Sequence, residues 1–147
     1  MPGAQESLRV AEATFGLEHV NVATSLTNLA NLYRAQGKYA EAEPLYKRAL
    51  AITEKPLGFD HPNVAVTLNN LALLYDAQGK YAEAEPLCTR SLAIREKALG
   101  PDHPDVATSL ENYAALLRKT NRETEADQAE ARAKAIRAKQ AQKNRAN

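Results

Sequence analysis

The chain repeats itself with a period of 42 residues, and this period constrains the fold more than any local pattern does. His19, His61 and His103 lie 42 residues apart. Segment 19–60 is identical to segment 61–102 at 30 of 42 positions, whereas 61–102 matches 103–144 at only 15. A fixed period of this length is typical of solenoids, in which each unit buries its apolar face against its neighbours. The third unit is therefore interpreted as a degenerate copy of the first two.

Each unit is predicted to form two helices. In the first unit apolar residues recur at helical spacing between Val22 and Tyr33, and Gly37 is expected to end that helix. Tyr33 and its equivalent Tyr75 are expected to be packing residues of the core. The second helix is predicted over about 39–55, with a stop at Pro56-Leu57-Gly58.

Prolines occupy two kinds of position in these units. Asp60-His61-Pro62 is expected to start the second unit, with Asp60 capping free N–H groups and Pro62 in the first turn. His61 and His103 are expected to have a capping or turn role there. Pro44 and Pro86 lie inside the second helices, where proline removes a hydrogen bond, and we expect a bend and not a helix end.

The beginning of the chain aligns with the back half of a unit, since Leu8 matches Leu50 and Gly16 matches Gly58. A second helix without its first is therefore expected there, and Leu8 and Val10 would present apolar surface. Seven helices are therefore expected. They are interpreted as the C-terminal end of a longer array. They are divided as a leading second helix in 1–18, complete units in 19–60 and 61–102, and a degenerate unit with a basic C-terminal capping helix in 103–147.

Composition supports helices and excludes several functions. Alanine supplies 28 of 147 residues, with 6 Gly, 2 Phe and no Trp, which favours helix over sheet. The near balance of 19 Lys plus Arg against 18 Asp plus Glu gives no overall reason to bind nucleic acid or a membrane. Cys88 is the single cysteine, and no apolar stretch approaches the ~18 residues of a membrane span. A cytoplasmic location is expected.

Charge is unevenly distributed along the chain. The tail, 131–147, carries six basic and no acidic residues, so residues 1–130 carry 13 − 18 = −5. Three interpretations of the tail remain open: a solvated capping helix, contact with nucleic acid, or contact with the acidic body of a second copy.

The repeated residues resemble the tetratricopeptide repeat. Leu26 lies at the family's Trp position, Leu29-Ala30 at its Leu-Gly position and Tyr33 at its Tyr position, and Ala42 follows in order. The 42-residue period and the phrases Gly-Lys-Tyr-Ala-Glu-Ala-Glu-Pro-Leu and Leu-Gly-Pro-Asp-His-Pro-Asp-Val-Ala resemble the kinesin light chain subfamily. The resemblance implies an all-α, right-handed superhelical solenoid of antiparallel helix pairs, whose first helices line a concave groove.

A row of amide and small side chains is predicted on the groove side of each first helix. Asn28, Asn70 and Asn112 form a ladder whose amides could bond the backbone of an extended peptide. Alternatively, these amides hold neighbouring repeats together. Arg34 and Arg118 near the rim would favour an acidic ligand. The candidate peptide-binding residues are Thr27, Asn28, Asn31, Arg34, Asn69, Asn70, Leu73, Glu111, Asn112, Arg118 and Lys119.

These patterns predict a protein-interaction scaffold that binds an extended or helical peptide segment of a partner in its groove. The alternative is a structural or self-associating fragment of a longer array, with no groove ligand of its own and a dimer contact at the uncovered N-terminal end.

Catalytic, metal and carboxylate-clamp functions are not expected. No nucleophile motif, phosphate loop or acid/base pair occurs, and histidines one repeat apart are too distant to share a metal, so no cofactor is expected. Cys88 is interpreted as a buried apolar residue. Some resembling proteins clamp a carboxylate with cations, but those positions are uncharged here, at Thr27, Thr108 and Asn112.

Overall fold

The computed structural model describes residues 2–17, 19–58 and 60–146, and within them the chain is helical, with no strand. Seven helices connected by short turns follow one another. The expected number of helices and the all-α solenoid class are confirmed. The ends of the predicted segments 1–18 and 103–147, namely Met1, Glu18 and Asn147, lie outside the described residues. The helices are α1 Pro2–Phe15, α2 Val20–Ala35, α3 Tyr39–Leu57, α4 Pro62–Ala77, α5 Tyr81–Leu99, α6 Pro104–Lys119 and α7 Glu123–Ala146.

Helices pack mainly on their neighbours in the chain. The pairs α2–α3, α4–α5 and α6–α7 make the most extensive contacts, and α3–α4 and α5–α6 join one pair to the next. Helix α1 packs on α2 as α3 packs on α4. The first helices α2 and α4 also touch directly. This arrangement is a solenoid in which α2, α4 and α6 form one side and α3, α5 and α7 form the other.

Each repeat contributes the same apolar positions to the core. Leu26, Leu68 and Leu110 are at most 3% exposed. Tyr46 is fully buried, whereas Tyr33 and Tyr75 are only partly buried against the same cluster. Tyr33 and Tyr75 are therefore packing residues, as expected, but the most buried tyrosine of this cluster is Tyr46, which packs with residues of α2 and α4.

The turns within the helix pairs use left-handed backbone. Gly37 and Gly79 have φ of 75°, and Asn121 has φ of 62° at the equivalent position of the third unit. The N–H of Lys38 donates to the carbonyl of Tyr33 across 2.8 Å, which closes the end of α2. The prediction that Gly37 ends the first helix is confirmed.

Histidine, and not aspartate, caps the first helices. The Nδ1 atoms of His19, His61 and His103 accept hydrogen bonds of 3.0 to 3.1 Å from the backbone N–H two residues later. The expected capping role of His61 and His103 is confirmed. The expectation that Asp60 caps this end is wrong, because its carboxylate instead pairs with Lys97 of α5 at 3.2 Å.

Proline does not end the second helices. Helices α3 and α5 continue through Pro44 and Pro86, as predicted. Helix α3 ends at Leu57, two residues beyond the predicted end, and contains Pro56 in its last turn. None of the helices in the described part of the chain is long and apolar enough to cross a membrane.

Ion pairs repeat between consecutive second helices. Arg48 pairs with Glu12 at 3.0 Å, and the equivalent residues pair again as Arg90 with Glu54 and Arg132 with Glu96. Such exposed pairs each contribute at most about 1 kcal/mol. They nevertheless keep part of the basic tail engaged, and Lys139 adds a pair with Asp102 at 3.1 Å. These contacts hold α7 against earlier parts of its own chain.

Candidate functional site

The side of the solenoid built from the first helices contains a cavity. It has a volume of about 340 Å³ and lies between α2 and α4. Four of the predicted binding residues line it, namely Thr27, Asn28, Asn31 and Asn70. This volume falls in the range of small ligand pockets, which begins near 300 Å³.

Polar and apolar side chains alternate around the cavity because the helical period brings both to one face. The apolar part of the wall is formed by Val20, Ala23 and Val66. Val66 is 45% exposed although it is a large aliphatic residue. Asn63 and Thr67 of α4 supply polar wall near the start of that helix. The cavity lining includes no charged residue. Such a surface can hydrogen-bond polar groups of a peptide and contact the apolar parts of its side chains.

The asparagine side chains of the cavity differ in whether they already make hydrogen bonds within the chain. Asn28 is exposed and Asn70 is half-buried, so both are available on the cavity wall. The Oδ1 of Asn31 accepts a hydrogen bond from the hydroxyl of Tyr46. Burial raises the pKa of Tyr46, so the hydroxyl remains a donor well above neutral pH. Asn31 therefore contributes its amide NH₂ group to the groove, while its oxygen is engaged.

We call the space between two consecutive first helices an interval. The interval between α4 and α6 is bridged by side chains. The Nδ2 of Asn112 donates to the Oδ1 of Asn69 across 3.1 Å. Arg95 reaches in from α5, is only 8% exposed, and donates through Nη1 to the Oγ of Ser109 at 2.8 Å. Burial lowers the pKa of Arg95, while the nearby Asp105 opposes that shift. Here the asparagines hold repeats together, which is the alternative that the sequence left open.

The charged candidates are all partnered. Arg34 donates to the backbone carbonyl of Asn70 at 3.3 Å, and Lys119 pairs with Asp76 at 2.9 Å. Glu111 pairs with Arg137 at 2.8 Å. These three bonds join neighbouring helices. The two ion pairs neutralise Lys119 and Glu111, whereas the carbonyl that accepts from Arg34 carries no charge.

Arg118 is held by α7. Its guanidinium pairs with Glu123, with Asp127 at 2.9 Å and with Glu130 at 2.7 Å. Hydrogen bonding to Arg118 lowers the pKa of Glu130. The expected acidic ligand rested on Arg34 and Arg118. Carboxylates of α7 already neutralise Arg118, whereas Arg34 is bonded to a neutral backbone carbonyl.

Seven lining residues were not among the sequence candidates: Val20, Ala23, Thr24, Thr53, Asn63, Val66 and Thr67. Thr53 belongs to a second helix, and a prediction that considered only first helices could not include it. Its 42-residue column does carry a signal, because threonine is replaced there by Arg95 and Arg137. Leu73, a sequence candidate, is half-buried and lies outside the cavity lining.

The histidines and the cysteine have structural roles, as helix caps and as a core residue. Each histidine caps a helix, and the described residues contain no group of three or more His, Cys, Asp or Glu that could hold a metal ion. Cys88 is 7% exposed, and burial raises the pKa of its thiol to about 11. At neutral pH the sulfur is therefore a protonated core atom, as the sequence predicted.

Comparisons with known proteins identify the repeat. Family profiles of the tetratricopeptide repeat match residues 63–139 and 22–63. No curated protein sequence matches the chain significantly.

Solved structures extend the comparison. BtubC (BKLC) from P. vanneervenii superimposes with a TM-score of 0.85 and 29% identity, over 93% of this chain and 55% of that one. The nearly identical TPR-like repeats of a protein assigned as a Podosopora anserina kinesin light chain give 0.75 and 29%, over 93% and 65%. This chain thus spans less than two thirds of either. The N-terminal domain of C. elegans stress-induced protein-1 gives 0.64 and 19%, which shows the fold alone.

Proposed function

The chain belongs to the tetratricopeptide repeat family, in its kinesin-light-chain-like branch, and we propose that its concave face binds a peptide segment of a partner protein. The family consists of protein-interaction scaffolds, which makes a protein partner the expected ligand. The groove detail rests on one observation, the cavity of about 340 Å³ between α2 and α4 with Asn28 and Asn70 in its wall.

Chemistry at the cavity suits an extended or helical peptide. An asparagine amide offers two donors and an acceptor, so it can bond a peptide N–H and a C=O at once. The apolar surface of Val20 and Val66 can cover an aliphatic side chain of the ligand. Because carboxylates of the chain already neutralise Arg118 and Lys119, we propose a peptide without an acidic requirement.

A peptide array of defined dodecamers, probed with the purified protein, tests this proposal. Wild type is expected to bind a subset of the peptides, and the double variant Asn28→Ala with Asn70→Ala to bind them at least about tenfold more weakly, a loss of ~1.4 kcal/mol. Asn112→Ala is the matched control, since this amide bonds Asn69 and lies outside the cavity. Equal binding by wild type and the double variant would contradict groove recognition.

Self-association is a second candidate function, and exposed apolar residues near the N-terminal end favour it. Val10, Phe15, Leu17 and Leu32 are between 42% and 62% exposed. Ile52, the equivalent of Val10 in the first full repeat, is buried against α2, so the exposure of Val10 reflects an uncovered helix face. We propose that a second copy covers this face in a symmetric dimer.

A further inference from the structure

One position of the 42-residue repeat is occupied by different residues along the solenoid, and their contacts differ as well. Thr53, Arg95 and Arg137 are equivalent by the 42-residue period and lie on α3, α5 and α7. Thr53 and Arg95 are buried, at 3% and 8% exposure. Arg137 is exposed and bonds Thr108 and Glu111 of α6. At Thr53 and Arg95 this position therefore places a short or a long side chain beside the first helix of the following repeat.

Where the residue is arginine and a following helix is present, its guanidinium fills the interval between repeats. Nη1 of Arg95 donates to the Oγ of Ser109 at 2.8 Å and to the backbone carbonyl of Asp105 at 3.3 Å. Both acceptors belong to the first turns of α6. The carboxylate of Asp105 additionally favours the charged form of Arg95.

Where the residue is threonine, the same place is empty. Thr53 bonds the carbonyl of Ala49 on its own helix and does not reach α4. The equivalents of the two Arg95 acceptors, the carbonyl of Asn63 and the hydroxyl of Thr67, border the cavity of about 340 Å³. The Thr67 hydroxyl donates to that carbonyl over a long 3.4 Å contact. A guanidinium would replace this contact at the carbonyl, and the lone pairs of the Thr67 oxygen are available to a second donor.

We propose that this cavity is a subsite for an arginine side chain of the peptide ligand, whose guanidinium donates to the carbonyl of Asn63 and the hydroxyl of Thr67. The ligand would thereby reproduce in trans the contacts that Arg95 makes within the chain. This inference rests on the proposed function, since the arginine is supplied by a peptide in the groove.

Charge around the subsite permits a cation. The lining contains no basic residue, and residues 1–130 carry a net charge of −5. Arg34, which lies on α2 beside this interval, is bonded to the carbonyl of Asn70, about two helical turns from Asn63 along α4. Asn63 stands where Asp105 accompanies Arg95, so the open subsite has the same carbonyl without the carboxylate.

Backbone amide NMR of the full chain tests the subsite with defined probes. Ac-Gly-Gly-Arg-Gly-Gly-NH₂, added to ~10 mM, is expected to shift the amides of Thr53, Asn63 and Thr67 in a saturable manner. The same peptide with citrulline, which is isosteric but uncharged, should bind about fivefold more weakly, and the norleucine peptide should not saturate. Equal affinity for the arginine and norleucine or citrulline peptides would overturn the proposal.

Three variants separate occupancy of the subsite from damage to the fold. Thr53→Arg fills the cavity with the residue that the next repeat already accommodates, and it should abolish the shifts, whereas Thr53→Ser should retain them. Asn63→Asp restores the carboxylate found at Asp105 and should strengthen arginine binding about fivefold. Unchanged affinity in both Thr53→Arg and Asn63→Asp would overturn the assignment.

The array distinguishes failure of this inference from failure of the proposed function. Binding that depends on Asn28 and Asn70 but shows no enrichment of arginine among the bound peptides would overturn the arginine subsite and leave groove recognition intact. If no array peptide binds while the arginine probe still saturates the cavity, the groove proposal fails and the cavity chemistry stands.

Discussion

The side-chain amides of Asn112 and Asn69 are joined across two repeats, with Nδ2 of Asn112 donating to Oδ1 of Asn69 at 3.1 Å. One repeat earlier, the equivalent positions hold Asn70 and Thr27, and both line the open cavity. The same asparagine column thus serves packing in one interval and faces a cavity in the other. Asn69 in place of Thr27 provides the amide partner for the packing contact, and Arg95 in place of Thr53 fills the rest of that interval.

Replacing these asparagines should separate stability from binding. Asn112→Ala removes an inter-repeat hydrogen bond and should lower the free energy of unfolding by about 0.5–1.5 kcal/mol in urea. Asn28→Ala, at an exposed position, should change it by less than about 0.5 kcal/mol. Equal losses for the two variants would contradict the distinction between a packing and a groove asparagine.

Tyr46 should be the aromatic residue on which the core depends most. It is fully buried, so Tyr46→Ala should cost about 3–5 kcal/mol, as for other large-to-small core substitutions. Tyr33→Ala should cost less, because Tyr33 is only partly buried. Tyr46→Phe retains the ring and loses only the bond to Asn31, at a cost of about 1 kcal/mol. Urea denaturation of the three variants measures these differences, and a larger loss for Tyr33→Ala than for Tyr46→Ala would contradict them.

The register of the fold was predictable because it depends on periodic apolar burial. Leu26, Leu68 and Leu110 recur at one position and are buried in each repeat. The identity of each helix cap was less predictable, since Asp60 is a preferred N-cap type and histidine is not. The carboxylate of Asp60 instead accepts a hydrogen bond from Lys97, which lies 37 residues further along the chain. Local sequence patterns do not predict such a contact.

The histidine caps can be tested by exchange. His61→Ala leaves an N–H of the first turn of α4 without its acceptor and should lower stability by about 0.5–2 kcal/mol. His61→Asp supplies a carboxylate acceptor at the same position and should retain most of the stability. Thermal denaturation followed by circular dichroism compares the two. A His61→Ala variant as stable as wild type would show that the Nδ1 contact contributes nothing.

The ion pairs of Arg118 should make part of the stability pH-dependent. Hydrogen bonding to Arg118 lowers the pKa of Glu130 in the folded state, so the stabilisation is present above the ordinary glutamate pKa of about 4.3 and is lost as the pH falls through the lower, folded value. In Arg118→Gln the pKa of Glu130, followed by carboxyl carbon NMR, should rise towards its ordinary range. An unchanged pKa would mean that Arg118 is not its partner in solution.

The proposed dimer predicts a concentration-dependent mass. Light scattering at ~100 μM should show a dimer for wild type and a monomer for Val10→Glu, which places a charge in the exposed apolar surface. Leu8 was also expected to be part of that surface, but it packs against the cluster around Val22 and is only half exposed, so Leu8→Glu would disturb the fold as well. A monomeric wild type at this concentration contradicts self-association.

The candidate site could be predicted only in part, for a physical reason. Thr27, Asn28, Asn31 and Asn70 line the cavity, as expected from their position on the first helices. The charged candidates Arg118 and Lys119 were expected to be accessible in the groove because helical periodicity places them on the surface. Periodicity does not show which opposite charges lie within reach on other helices, and Asp76, Glu123, Asp127 and Glu130 do so here.

Mapping a bound peptide onto the chain tests the central claim most directly. A dodecamer selected on the array is titrated into labelled protein, and the backbone amide shifts are assigned along all seven helices. Groove recognition predicts that the largest shifts fall on α2 and α4, at residues around Asn28, Asn63 and Asn70. Shifts concentrated on α3, α5 and α7, or confined to the exposed surface around Val10, would contradict the claim that this solenoid binds its partner in the concave groove.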